Sequence, residues 1–409
     1  MKQVFLLSFL FLPFSSLAQS HRIEGSFQRL KGSWLILHAF QGLQSKVIDS
    51  AQVDSDGYIC FSFSADKLGL GYIQTKSKKA FPIAYVDSLI QLENDSPSFT
   101  QIHVKNGINT QVLAGQSHSY NALHSYMAWY LPFRKWIHEL PYLPSLKPAE
   151  VPAALFMAQE LHPEDPRLFT SGLLSEALER YFWLTKINAK NPEEEQSSIA
   201  SSIDTLLTRS VHNQPLYQDI TQFLFQTFEK NYWTDASAYL AQKVLSQEAC
   251  SLPSSLSFRL ESYRKLQKGL VAPDVLFQGN LWRKGILADS PSRLSALDNR
   301  YKLLLFGASW CQMCKQEIAR ILPRYDDWQS KGLEVIFISL DGNPKAFQTY
   351  VQDLPFLSAC DFKQTQGKAA QDYYISSSPT MFLLNQENKI LYRPISASNV
   401  DEWLHLQTL

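Results

Sequence analysis

The sequence predicts a multidomain chain: a C-terminal α/β domain with a mixed central sheet, preceded by an N-terminal β-rich domain and an α-helical region. Three observations lead there. Apolar residues recur at every second position near the N-terminus, at helical spacing in the middle, and as alternating strand-like and helix-like runs towards the end. The length, 409 residues, exceeds one ordinary domain of ~100 to 200. With 38 basic against 38 acidic side chains the net charge is zero, so the basic footprint that nucleic acid demands is missing and no nucleic-acid partner is expected. A hydrophobic share of 45% and an aromatic share of 13% argue against disorder.

The first residues read as an export signal. Lys2 opens a basic start, Val4 to Phe14 is apolar except for Ser8 and Pro13, and Ser16-Leu17-Ala18 offers a small-x-small cleavage site. The run falls short of the ~20 apolar residues that cross a bilayer, and no Cys follows the small residues to accept a lipid. Cleavage after Ala18 and release into the periplasm are therefore expected, in a compartment where disulfides can form.

From 19 to 106 the pattern is β. Trp34 to Phe40 is a strand-like run, and Ile59, Phe61 and Phe63 share one face at period two. Asp54-Ser-Asp-Gly57 between them is a hairpin turn signal, since Gly57 tolerates positive φ. The same residues echo the start of a calcium loop but lack its downstream Glu. From 117 to 268 the pattern is helical. Leu216, Ile220, Phe223, Leu224 and Phe228 line one face, and similar runs lie at Ala153–Leu161, Leu173–Ile187 and Tyr232–Gln247. Prolines such as Pro132, Pro166, Pro192, Pro215 and Pro253 should break this region into short helices. Its aromatic stripes read as packing.

From 270 to 409 strands and helices alternate. Tyr301–Ala308 and Leu333–Leu340 are apolar strands, with a helical segment Cys311–Ser330 between them that contains Pro323. Helices near Pro344 and Gln364–Tyr374, a hairpin of Thr380–Leu384 with Ile390–Arg393, and a terminal helix from Ser398 complete a βαβ unit followed by a β-hairpin and helix.

The chemistry concentrates in Trp310-Cys311-Gln-Met-Cys314. Cys311 stands where a strand gives way to a helix, so unpaired N–H groups and the helix dipole favour its thiolate. Cys314, one turn on, can attack a mixed disulfide formed at Cys311. Three other readings compete. A zinc site needs two more ligands, and no second Cys-x-x-Cys or paired His accompanies the pair. A c-type haem needs His after the second Cys, where Lys315 stands. A structural disulfide remains open. Cys60, Cys250 and Cys360 stand alone and read as small buried hydrophobes. No metal and no cofactor are expected.

Trp310-Cys-x-x-Cys314 after an apolar strand, with Ser378-Pro379-Thr380-Met-Phe-Leu-Leu-Asn385 downstream, resembles the thioredoxin fold. Glu317, together with the export signal, is similar more specifically to the TlpA-like periplasmic thiol-disulfide oxidoreductases, over 270–409. The β-rich segment resembles the small domain that precedes such reductases. The resemblance implies a cis bond before Pro379 packed against the dithiol, substrate pairing as an added strand at Ser378, Trp310 and Pro379 at the substrate surface, and Glu317 as proton acceptor near Cys314. Alternatively, Pro379 is an ordinary strand-start proline and Glu317 a first-turn carboxylate on the helix dipole. Gly307, Met313, Ser377 and Asn385 depart from common family choices without removing a catalytic group. The implied function is reduction of protein disulfides or of apocytochromes, with electrons from a membrane thiol carrier. The alternatives are an envelope binding or scaffold protein with an accessory domain, and a thiol peroxidase, although no Cys here has Thr three residues before it.

Overall fold

The computed structural model describes residues 20–407 apart from 65–68, 97, 100, 121–122, 140–149, 152–161, 247–251, 278–280 and 289–290. The export segment, the helical run at Ala153–Leu161 and Cys250 lie outside the described residues. The chain forms two compact units, one ending at Ile220 and the other beginning at Thr221.

In the first unit, eight strands form two four-stranded sheets: β1 (Ser20–Ser26), β2 (Trp34–Gln41), β3 (Gln44–Gln52), β4 (Tyr58–Ser64), β5 (Leu70–Thr75), β6 (Ala80–Ala84), β7 (Leu89–Glu93) and β8 (His103–Asn106). Their orders are β4-β1-β7-β8 and β3-β2-β5-β6. All neighbours are antiparallel except β1 and β7. The period-two pattern sets the core: Ile23, Leu35, Leu37, Ile59, Phe61, Ile73 and Ile83 pack in one cluster drawn from both sheets. Cys60, between Ile59 and Phe61, points the other way and is half-buried, against expectation, because alternation places it on the opposite face. Asp54 Oδ1 accepts from the Asp56 and Tyr58 N–H groups and Gly57 takes φ 79°, which makes the expected turn.

Helices follow: α1 (Ile108–Leu113), α2 (Ser125–Glu139), α3 (Pro166–Phe169), α4 (Leu174–Asn188) and α5 (Pro192–Ser210), then α6 (Gln214–Lys230). Pro166 and Pro192 start helices behind the capping side chains of Asp165 and Asn191, as a residue lacking an N–H does best. Pro132 departs from the expected punctuation and sits inside α2. On α6, Leu216, Ile220, Leu224 and Phe228 are buried.

The second unit holds the end of α6, α7 (Thr234–Leu245), α8 (Ser254–Lys265) and a seven-stranded mixed sheet. Its strands are β9 (Leu281–Arg283), β10 (Ile286–Leu287), β11 (Tyr301–Gly307), β12 (Leu333–Ser339), β13 (Leu357–Cys360), β14 (Thr380–Asn385) and β15 (Ile390–Tyr392), in the order β10-β9-β13-β12-β11-β14-β15. β11, β12 and β13 run parallel, and β14 returns antiparallel beside β11. Helices α9 (Gln312–Ile321), α10 (Tyr325–Ser330), α11 (Pro344–Val351), α12 (Lys368–Asp372) and α13 (Ala397–Leu406) complete it. A 3-10 turn at Leu322–Arg324 absorbs Pro323 between α9 and α10. The central strands are apolar throughout because both faces are covered. Leu304 and Phe306 enter one core, and Leu303 and Leu305 the other. Lys302 is the one charge on β11, and its buried Nζ donates to the Gln386 carbonyl (2.9 Å) and to Asn388 Oδ1 (2.7 Å).

Three strands escaped the sequence reading: β9, β10 and β13. They are two to four residues long, too short for a periodic signal. The second compact unit begins at Thr221 and takes in α8. Phe258 on α8 packs its ring 5.1 Å from that of Tyr374, and Lys265 Nζ donates to Tyr374 Oη at 2.8 Å, so α8 is built into the C-terminal unit.

Candidate active site

β11 ends at Gly307, and Ala308-Ser309-Trp310 carries the chain to α9. Cys311 is the N-cap of that helix, and its Sγ accepts the Cys314 N–H at 3.1 Å, which satisfies one of the orphan donors of the first turn. Cys311 and Cys314 form a disulfide with a Cα–Cα distance of 5.3 Å. The pair is unequal. Cys311 keeps 8% of its surface exposed and Cys314 none. Beside them Trp310 and Met313 hold two large apolar side chains in solvent, at 66% and 65% exposure.

The Ser378–Pro379 bond is cis, as the resemblance implies. Ser378 presents its carbonyl oxygen 3.7 Å from Cys311 Sγ, so the loop before β14 lies against the dithiol. Thr380 Oγ1 donates to the Ser377 carbonyl at 2.8 Å and tightens the loop. Trp310, Cys311, Cys314, Ser378 and Pro379 are thus gathered at one end of β11 and β14. Glu317 is buried on α9 as well, but its carboxylate has other partners. It pairs with Arg320, and Oε2 accepts the Ala397 N–H at 2.8 Å, in the first turn of α13. Neither partner is the Cys314 sulfur.

Two residues support the site in ways the sequence did not indicate, one of them unmarked there and the other, Gly307, marked only as a departure from the family pattern. Asp341, just past β12, is 1% exposed. Its Oδ2 accepts from the Ser309 N–H (3.0 Å) and Ser339 Oγ (2.6 Å), and Oδ1 accepts from Ser309 Oγ (2.7 Å). One buried carboxylate therefore pins the loop that leads into Trp310 and Cys311. Gly307 is the second. A Cβ there would stand 2.9 Å from the Phe337 ring and 3.1 Å from Cys314 Sγ, so the buried sulfur occupies space that any side chain would claim. Cys360 lies nearby, its Sγ 3.3 Å from the Asp341 carbonyl, which accepts the thiol proton. Burial pushes that thiol up from its ordinary value.

A dithiol at the head of a helix, a cis-Pro loop across from it and a mixed sheet with parallel centre define the C-terminal domain as a thioredoxin fold. A Thioredoxin-like family profile matches residues 299–390. The thiol-disulfide oxidoreductase ResA of Oceanobacillus iheyensis is 29% identical over 103 residues, covering 25% of this chain and 52% of that protein. Sporulation thiol-disulfide oxidoreductase A of Bacillus subtilis is 29% identical over 107 residues, covering 25% of this chain and 64% of that one. The chain thus spans between half and two thirds of the length of these curated relatives. Among solved structures, a thioredoxin-like protein from Bacteroides caccae aligns with 65% of this chain and 96% of its own, at 16% identity and a TM-score of 0.47. The C-terminal domain is thioredoxin-like and similar to these thiol-disulfide oxidoreductases, and it follows a β-rich region and a helical one.

Proposed function

We propose that the chain is an exported thiol-disulfide oxidoreductase that reduces protein disulfides, with Cys311 as nucleophile and Cys314 as resolving thiol. The asymmetry of the pair carries the reading: both residues are buried, but the helix-capping one keeps 8% of its surface exposed and its partner none. In the reduced protein the Cys311 thiolate attacks one sulfur of a substrate disulfide. A mixed disulfide forms and the first substrate thiolate leaves. Cys314, once deprotonated, attacks Cys311 Sγ, and the second substrate thiolate departs and takes up a proton. Two electrons pass to the substrate, and the protein is left as the Cys311–Cys314 disulfide, which a thiol donor must reduce again. A membrane thiol carrier is the expected donor, and a disulfide-bearing protein or apocytochrome the expected substrate.

Trp310 and Met313 give the substrate an apolar landing surface, and the backbone at Ser378 offers pairing to an extended chain. Glu317 is assigned as the proton acceptor for Cys314, through a carboxylate that also holds Arg320 and Ala397. The export reading rests on Lys2, the apolar run and Ser16-Leu17-Ala18. Among the described residues no helix is long and apolar enough to cross a membrane.

Insulin reduction by the full chain with dithiothreitol tests the activity. The expected result is precipitation of the insulin B chain well ahead of the dithiothreitol blank, abolished by Cys311→Ser. A rate equal to the blank would sink the assignment.

A further inference from the structure

A cleft of 710 Å³ opens beside the cis-Pro loop, within the second unit. One wall is the redox face, with Met313 and Ser378–Thr380. The other is helical, with Glu229 on α6 and Arg259 and Tyr263 on α8. Arg393, just past β15, lines the cleft where the two walls meet. Its guanidinium lies between two rings, 4.1 Å from the Tyr263 centroid and 4.7 Å from that of Phe382. Nη2 donates to Ser262 Oγ at 3.2 Å, whereas the buried Nη1 has no hydrogen-bond partner. Ser237 Oγ, on the same cleft, is buried and unpartnered as well.

A desolvated cation with an unused donor is costly unless an anion completes it. The carboxylate on hand is already engaged, because Glu229 pairs with Arg259. Lys230 adds a further positive charge to the rim. The cleft therefore has a surplus of positive charge, and its missing group is an anion delivered along the redox face. Burial lowers the affinity of Arg393 for its proton by more than Tyr263 and Glu229 raise it.

We infer that this cleft selects polypeptide substrates that carry an Asp or Glu side chain near the disulfide, with Arg393 as the carboxylate-binding residue. Arginine suits the task because its planar fork can take both oxygens while the flanking rings hold it in place. The inference rests on the oxidoreductase reading and adds a substrate class to it. The helical wall thereby becomes part of the recognition surface.

The test uses the reduced full chain and synthetic peptides with one intramolecular disulfide. A single Glu, or Gln in its place, is walked through the positions flanking one cysteine. At the best position the kcat/KM ratio of Glu to Gln peptide should reach roughly tenfold at low salt, about 1.4 kcal/mol, and fall as salt screens the pair. Arg393→Gln should bring the ratio to about one, and Arg393→Lys should retain part of it. A merely structural Arg393 would slow both peptides alike and leave the ratio intact, which would overturn the inference. So would a ratio near one at every position in the unaltered protein, a result that needs no variant to fold. Failure to reduce either peptide or insulin would overturn the oxidoreductase reading along with it.

Discussion

Cys311 and Cys314 differ in surroundings more than in sequence, and reagents should read that difference. In the reduced protein, alkylation at neutral pH should label Cys311 first, and Cys314→Ala should trap mixed disulfides on Cys311 because the resolving attack is gone. Preferential labelling of Cys314 would reverse the roles. Cys360 should resist labelling until the protein is unfolded. Its raised pKa keeps the thiol protonated at neutral pH, and only the thiolate reacts. At Glu317 two roles separate by magnitude. As proton acceptor, Glu317→Gln should slow resolution ~10²-fold or more while Cys311 alkylation is nearly unchanged. As a buried carboxylate past the first turn of α9, held by Arg320 and the Ala397 N–H, it should leave resolution near normal and cost about 1 to 3 kcal/mol of stability. Stopped-flow decay of the mixed disulfide, paired with urea denaturation, distinguishes them. Asp341 is a positioning residue. Asp341→Asn leaves one acceptor for three donors, so Ser309 should loosen, and the pH dependence of Cys311 alkylation should shift while Cys360 stays protected. An unchanged profile would deny Asp341 that role.

Among the elements, α13 shows how a terminal helix is docked. Val400 and Leu404 are buried in the core, and Asp401 Oδ1 accepts the indole N–H of the fully buried Trp328 at 2.9 Å. That hydrogen bond, with Arg324 and His405 nearby, holds the Asp401 carboxyl below the usual carboxylate range. A depressed pKa stabilises the fold above the unfolded value of ~3.9, and the contribution is lost as pH falls through the folded value. Asp401→Ala should therefore cost about 1 to 3 kcal/mol at pH 7, chiefly from stranding the buried indole N–H. The gap from the unaltered protein should narrow below pH 4 in denaturant titrations. A gap that widens in acid would contradict the assignment. The long elements were legible in the sequence, among them β2, β4, β11, β12, α4 and α6, because seven or more residues display a period or, in β11 and β12, hold an unbroken apolar run. β13 was not, since four residues between Phe356 and Asp361 carry none, and its place in the sheet comes from parallel pairing with β12.

For the whole molecule, export and architecture meet in one measurement. If Ser16-Leu17-Ala18 is processed, intact mass of the protein from the cell envelope should lack residues 1–18, and a chain still beginning at Met1 would reject the cleavage. The composition, the three textures along the chain, the dithiol and the Pro loop were all determined by the sequence alone. Each is a local pattern: period two, period 3.6, or residues a few positions apart. The tertiary structure alone decided what distant segments do together. It brought Asp341 to Ser309, set Cys314 against Gly307, turned Glu317 towards Ala397, and joined α8 to the C-terminal unit, where Tyr263 and Arg393 share a cleft with Ser378. The physical reason is that burial and hydrogen-bond completion depend on which chains meet across the sheet, and no spacing along the sequence records that meeting.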